Sequence, residues 1–158
     1  MISLEFFTPE KHLLQLSYEL DEGQQRFTAT VAQALKNIEE RNGHNAFPVT
    51  ILHGNIAVGF FVLDFGADKL DLTDNQNSVL VRSLSVNPGM QGKGIGKEAM
   101  MQLDDFVREH FENCDEIVLA VNQKNDSAYH IYLKAGYIYD GKSRIGRSGP
   151  QYLMYKKL

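Results

Sequence analysis

The chain has 158 residues, 43% of them apolar, and a formal net charge of −4. That is enough apolar matter for one core, so a single domain over 1–158 is expected. No Lys/Arg block exceeds Lys156-Lys157 and no apolar run approaches the ~18 residues of a membrane span, which argues against nucleic-acid and membrane partners. The single cysteine, Cys114, excludes an internal disulfide framework and fits a reducing cytoplasm. Residues 1–20 lack a basic start followed by an apolar run, so no signal peptide is expected.

Residues 3–8 read as a short strand, and Thr8-Pro9-Glu10 as a helix start leading to Leu13, Leu14, Leu16 and Leu20. Residues 24–41 read as a second helix. Phe27, Val31, Ala34, Leu35 and Ile38 share one stripe, and Asn42-Gly43 is a C-cap signal. Residues 47–52 and 56–63 are two strands joined by His53-Gly54-Asn55 as a tight hairpin. Gly59 inside the second strand marks a bulge or a close packing partner. Residues 64–77 carry Asp64, Asp68, Asp71 and Asp74 without the spacing of a calcium loop. They read as a solvated acidic loop, with an acidic rim that attracts an amine as the alternative.

Residues 79–86 form the next strand, and the stretch after it organises the chain. Asn87-Pro88-Gly89-Met90-Gln91-Gly92-Lys93-Gly94-Ile95-Gly96 spaces three glycines at every second position before a helical pattern over 93–112. Strand, glycine-rich turn and helix start make an anion site, because first-turn N–H groups are unpaired and glycine lets a phosphate approach the backbone. Lys93 and Lys97 add mobile positive charge. The pattern fails as a nucleotide P-loop, since Glu98 follows Gly96-Lys97, and as a dinucleotide fingerprint, since the third glycine is one residue early. Residues 117–121 are a continuous apolar run, suited to a strand buried on both faces and parallel to its neighbour. Asn125-Asp126-Ser127 offers N-cap residues for a short helix through Ala135, and Gly136 ends it. Residues 137–139 and 152–155 are strands, with Gly141, Gly146, Gly149 and Pro150 in a loop or hairpin between them.

Gln91, Gly94 and Gly96 fill a pattern that resembles the pyrophosphate-binding segment of the GNAT superfamily of acetyl-CoA-dependent N-acetyltransferases. A second stretch, Val121-x-x-x-Asn125-x-x-Ala128-x-x-Ile131-Tyr132-x-Lys134-x-Gly136-Tyr137, is similar to the other signature of that family, with Tyr137 in place of the usual Phe. The resemblance covers residues 79–140. It implies an α/β (α+β) fold with a central mixed, mostly antiparallel sheet of about six or seven strands flanked by helices. It also implies a splay between strand 79–86 and strand 117–121.

The roles it implies are specific. Gln91, Gly92, Lys93, Gly94, Ile95, Gly96 and Lys97 would hold the CoA pyrophosphate. Leu84 and Val86 would offer backbone groups to the pantetheine arm and the thioester carbonyl. Asn125 would contact the pantetheine or fix the short helix. Tyr132 would protonate the leaving thiolate. The strand that supplies a base in many relatives offers only Arg82, Ser83 and Ser85, so Glu19, Asp64 and the tail are considered instead, through ordered water. The five histidines include no pair at metal-ligand spacing, so no metal is expected. Cys114, beside Glu112 and Asp115, is a poor nucleophile.

The function so implied is transfer of acetyl from acetyl-CoA to an amine acceptor. The acidic balance favours a small cation such as a polyamine. A protein N-terminus or lysine, an aminoglycoside-like molecule and an amino-acid derivative stay open, and a non-catalytic acyl-CoA sensor is the alternative. Exposed strand edges would suit a homodimer.

Overall fold

The computed structural model describes residues 1–41 and 45–158. Seven strands among them form one sheet: β1 (Ile2–Phe6), β2 (Ala46–His53), β3 (Ile56–Asp64), β4 (Ser78–Val86), β5 (Glu116–Asn122), β6 (Ile138–Gly146) and β7 (Gly149–Lys157). Their order across the sheet is β1-β2-β3-β4-β5-β7-β6. Every pairing is antiparallel except β4 with β5. The helices are α1 (Pro9–His12), α2 (Glu22–Gln25), α3 (Val31–Glu40), α4 (Ile95–His110) and α5 (Asp126–Lys134). No described helix is long and apolar enough to cross a membrane.

The two faces of the sheet carry separate cores. Val49, Phe61 and Leu63 pack with Met100 and Leu103 under α4. Phe60 and Val62 point the other way and pack with Leu16, Val31 and Ala34 under α1 and α3. Strand periodicity produces this division, because successive side chains leave opposite faces. Ile117, Val118 and Leu119 of β5 are all buried, as a continuous apolar run in a central strand requires.

Several elements depart from the sequence expectation. The helix expected over 24–41 is two helices. Thr30 caps α3 by accepting a hydrogen bond from the Gln33 amide at 3.1 Å, and this separate start breaks the stripe after Phe27. Only Pro9–His12 of the first leucine-rich segment is α-helical, and Leu14 is exposed. The Asn42-Gly43 cap signal lies outside the described residues. α4 begins at Ile95 rather than 93, because Gly92 and Gly94 hold left-handed φ angles of 78° and 77°. The loop near Gly141–Pro150 is mostly strand: β6 and β7 pair almost to the turn, Gly146 opposite Gly149.

Two irregularities shape β4. Opposite β3, Phe60 pairs with Ser85 and Val62 with Arg82, so Ser83 and Leu84 together face Phe61. That is a β-bulge, and Ser83 takes a φ of 60° there. Gly59 makes the bulge fit, since a Cβ on it would stand 2.9 Å from the Ser85 carbonyl oxygen. On the other side, β4 pairs with β5 only from Ser78 to Leu80, against Glu116 to Val118.

Candidate active site

Beyond Leu80 the edges of β4 and β5 face a cleft of about 800 Å³, whose lining runs from Val81 to Val86 on one side and from Ala120 to Asn122 on the other. The cleft reaches both faces of the sheet. Ile95 and Tyr132 line it and belong to the core under α4. Arg82 and Ser85 line it from the opposite face, since cross-strand partners share a face and theirs are Val62 and Phe60. Over that second face lie Asp21, Gln24, Phe27 and Thr28, brought there by the break between α2 and α3.

At one end of the cleft is the start of α4. Its N-cap, Gly94, supplies no side-chain cap, whereas Asp21, Thr30 and Asn125 each cap their own helix. The Glu98 amide is the first to reach back, to the Gly94 carbonyl at 3.0 Å. The N–H groups before it have no intrahelical partner, and the helix dipole adds positive potential. Nothing lies within 4 Å of where a Cβ would stand on Gly92 or Gly94, so the loop is open to a ligand. Gly96 plays a different part: its Cα side faces Ile131 and Val86, and packs α4 closely on α5 and β4. The donor set and the open space fit a diphosphate, and Lys97 lines the same end.

Leu84, Val86, Gln91, Gly92, Gly94, Ile95, Gly96, Lys97, Asn125 and Tyr132 all line the cleft. Lys93 does not. It sits between the two left-handed glycines and projects to solvent, with its ammonium 4.0 Å from the Met90 sulfur. The Gln91 amide donates to the Val86 carbonyl at 3.3 Å, tying the loop to the end of β4. The Asn125 side chain accepts from the Ala128 amide at 3.3 Å and starts α5.

Tyr132 is buried at the cleft wall, edge-on to Tyr137 with ring centroids 5.8 Å apart. Burial pushes its phenol well above the ordinary tyrosine value. It therefore stays protonated across the physiological range and donates a hydrogen bond rather than accepting a proton. Across the sheet, the Tyr18 hydroxyl meets Ser85 Oγ at 2.8 Å and donates to its carbonyl at 3.3 Å. Burial pushes Tyr18 up to about 12, the Ser85 bond opposing it. Sequence carried no signal for that contact, because 67 positions separate the partners.

None of residues 64–74 lines the cleft; Asp68, Asp71 and Asp74 are exposed, as a solvated loop requires, and of these aspartates Asp64 alone departs from that expectation. Asp64 is fully buried and holds the Arg41 guanidinium through both oxygens, at 2.8 and 3.2 Å, and Arg82 at 3.1 Å. Arg82 also pairs with Asp68, at 2.9 Å. Burial alone would raise the Asp64 carboxyl, but hydrogen bonds from Arg41, the Gly66 amide and Arg82 outweigh it and hold it below the usual carboxylate range. Asp64 is thus no base, and neither it nor the exposed Glu19 lines the cleft. Among the described lining residues the groups able to take a proton are Asp21 and His130, and sequence reading singled out neither. Cys114 is buried, and that burial raises its thiol, as expected of an inert cysteine.

The profile of the acetyltransferase (GNAT) family matches residues 11–137. A protein of Bacillus subtilis (strain 168), described as the uncharacterized N-acetyltransferase YbbJ, is 39% identical over 159 residues, covering 98% of this chain and 96% of that protein. Among solved structures, aminoglycoside acetyltransferase AAC(6')-Ib in complex with coenzyme A superposes with a TM-score of 0.79 at 14% identity, over 99% of this chain and 95% of that one. Spermidine N-acetyltransferase from Vibrio cholerae, in complex with CoA and spermine, superposes with a TM-score of 0.72 at 14% identity, over the same shares. Two sequence signatures, an uncapped helix facing an open glycine loop and these relatives agree: the chain belongs to the GNAT family and is an acetyltransferase that uses acetyl-CoA.

Proposed function

We propose that the enzyme transfers acetyl directly to the amine of a small molecule, with the two substrates meeting through the gap between β4 and β5. The observation that carries this reading is the cleft itself, which opens to α4 and α5 on one face and to α2 on the other. Acetyl-CoA supplies an acyl thioester. The amides of Gly92 to Lys97 receive its diphosphate, and Leu84 and Val86 offer backbone groups along the bulged strand. The amine nitrogen bonds to the acyl carbon as the C–S bond breaks, and the amine's proton leaves through Asp21, His130 or water. Tyr132 donates a hydrogen bond to the departing thiolate. A thiol has a pKa of ~8.5 and burial holds this phenol well above the ordinary tyrosine value, so Tyr132 stabilises the charge as a hydrogen-bond donor and keeps its proton.

A polyamine or aminoglycoside acceptor draws support from the ligands of the structural neighbours, but at 14% identity those neighbours share only the fold. Among the described lining residues only Asp21 is a carboxylate. That favours an acceptor with one ammonium group.

The test is thiol release from acetyl-CoA with amino acids, polyamines, aminoglycosides and short peptides, for the protein and for Tyr132→Phe. Release with one amine class, reduced in kcat about 100-fold by the variant while the KM for acetyl-CoA holds, supports the reading. CoA binding without release from any amine would point instead to an acyl-CoA sensor.

A further inference from the structure

We infer that the acceptor is a zwitterion, an amine that also carries a carboxylate, and that Arg82 is the residue that selects for it. The inference rests on the transfer reading above and names its second substrate.

Arg82 lies on the α1–α3 face of the bulged strand and lines the acceptor half of the cleft. Its side chain is 43% exposed. Both of its ion pairs, to Asp64 at 3.1 Å and Asp68 at 2.9 Å, are made by Nη1. Nε and Nη2 have no acceptor among the described residues. These two form the planar edge on which a guanidinium receives a carboxylate through two parallel bonds. Asp64, itself pinned by Arg41, fixes the plane of that edge in advance, so little side-chain freedom is lost on binding.

Asp21, Gln24 and Thr28 face the cleft from the α2 side. Gln24 Nε2 and Thr28 Oγ1 have no hydrogen-bond partner among the described residues, and both atoms are buried away from solvent. Both residues line the cleft. Asp21, three residues before Gln24, is the one carboxylate lining the cleft among the described residues. Arg82 and Asp21 thus present one charge of each sign. A zwitterion matches both, whereas the second ammonium of a polyamine has no acceptor to offer the free Nε and Nη2 edge of Arg82. The other lining cations, Lys97 and Lys134, stand on α4 and α5, on the side that receives the phosphates.

The experiment compares matched acceptors in the thiol-release assay: leucine, leucinamide and 3-methylbutylamine, then free lysine, lysinamide and 1,5-diaminopentane. The expected result is a kcat/KM for each acid at least about tenfold above its amide and its decarboxylated amine. Arg82→Gln brings the acid-to-amide ratio close to one. A purely structural role would lower both substrates together and leave the ratio unchanged, which overturns the assignment. An amide or a diamine used as well as its acid by the unaltered enzyme overturns it without any variant. Release with no amine at all refutes the transfer reading instead, and the zwitterion falls with it.

Discussion

Gly94→Ala separates the backbone role of the loop from its ligand role. Gly94 sits at φ 77° and ψ 13°, in the left-handed region. An alanine there costs about 1–2 kcal/mol. With an unfolding entropy near ~2.1 cal/mol/K per residue, a chain of 158 residues loses roughly 3–6 °C of Tm. Within the free protein the methyl meets nothing, since no atom lies within 4 Å of it. In the proposed binding mode it stands where the diphosphate approaches the first-turn amides. Losing one hydrogen bond to a charged oxygen, about 1.5–3 kcal/mol, weakens CoA binding about 10- to 150-fold. Gly141→Ala is the control. It has a φ of 99°, is equally open, and lies on β6 outside the cleft. Calorimetric titration with CoA and a thermal melt of both variants give the answer. Both should melt earlier, and only Gly94→Ala should lose CoA affinity. Equal CoA affinity in the two variants would refute the assignment of the loop to the diphosphate.

Asp64→Asn tests the buried charge cluster. It leaves two guanidinium groups, about 40% exposed, without their shared carboxylate. We expect a loss of about 2 kcal/mol, below the range for fully buried pairs because the arginines stay hydrated. The Asp64 carboxyl is held below its ordinary value. Its contribution is therefore present above the unfolded pKa of ~3.9 and is lost as pH falls through the folded value. Urea melts from pH 7 down to pH 3 should show the gap between protein and variant narrowing toward acid, and a constant gap would contradict this account. Gly59→Ala places a Cβ 2.9 Å from both the Ser85 carbonyl oxygen and Ile51 Cδ1. It should cost about 1–3 kcal/mol and lower kcat by displacing the bulge. A variant with an unchanged melt and turnover would show that the bulge does not depend on that close approach.

Much of the fold was legible locally. Strand and helix periods, the Gly54 turn and the glycine loop are short-range patterns, and each is decided by steric rules within a few residues. The parallel pairing of β4 and β5 followed from an apolar run after a crossover helix. The acceptor half was less legible. Phe27 fits a helical stripe by spacing, yet the chain breaks there because Thr30 caps a new helix. The aspartates of 64–74 have the composition of a solvated loop. Asp64 is buried because Arg41 and Arg82, 23 and 18 positions away, arrive at the same point.

Sequence by itself determined the family, the use of acetyl-CoA and the placing of Tyr132 and the glycine loop, because the groups that bind a diphosphate are backbone amides whose geometry depends on nearest neighbours. Only the tertiary structure decided the shape and charge of the acceptor side. Arg82, Asp21, Gln24 and Thr28 come from segments that meet across the sheet, and Ser83 takes its φ of 60° only because β3 forces a bulge there. No local pattern encodes such contacts, since each depends on the register of strands and on a helix break that tertiary packing selects.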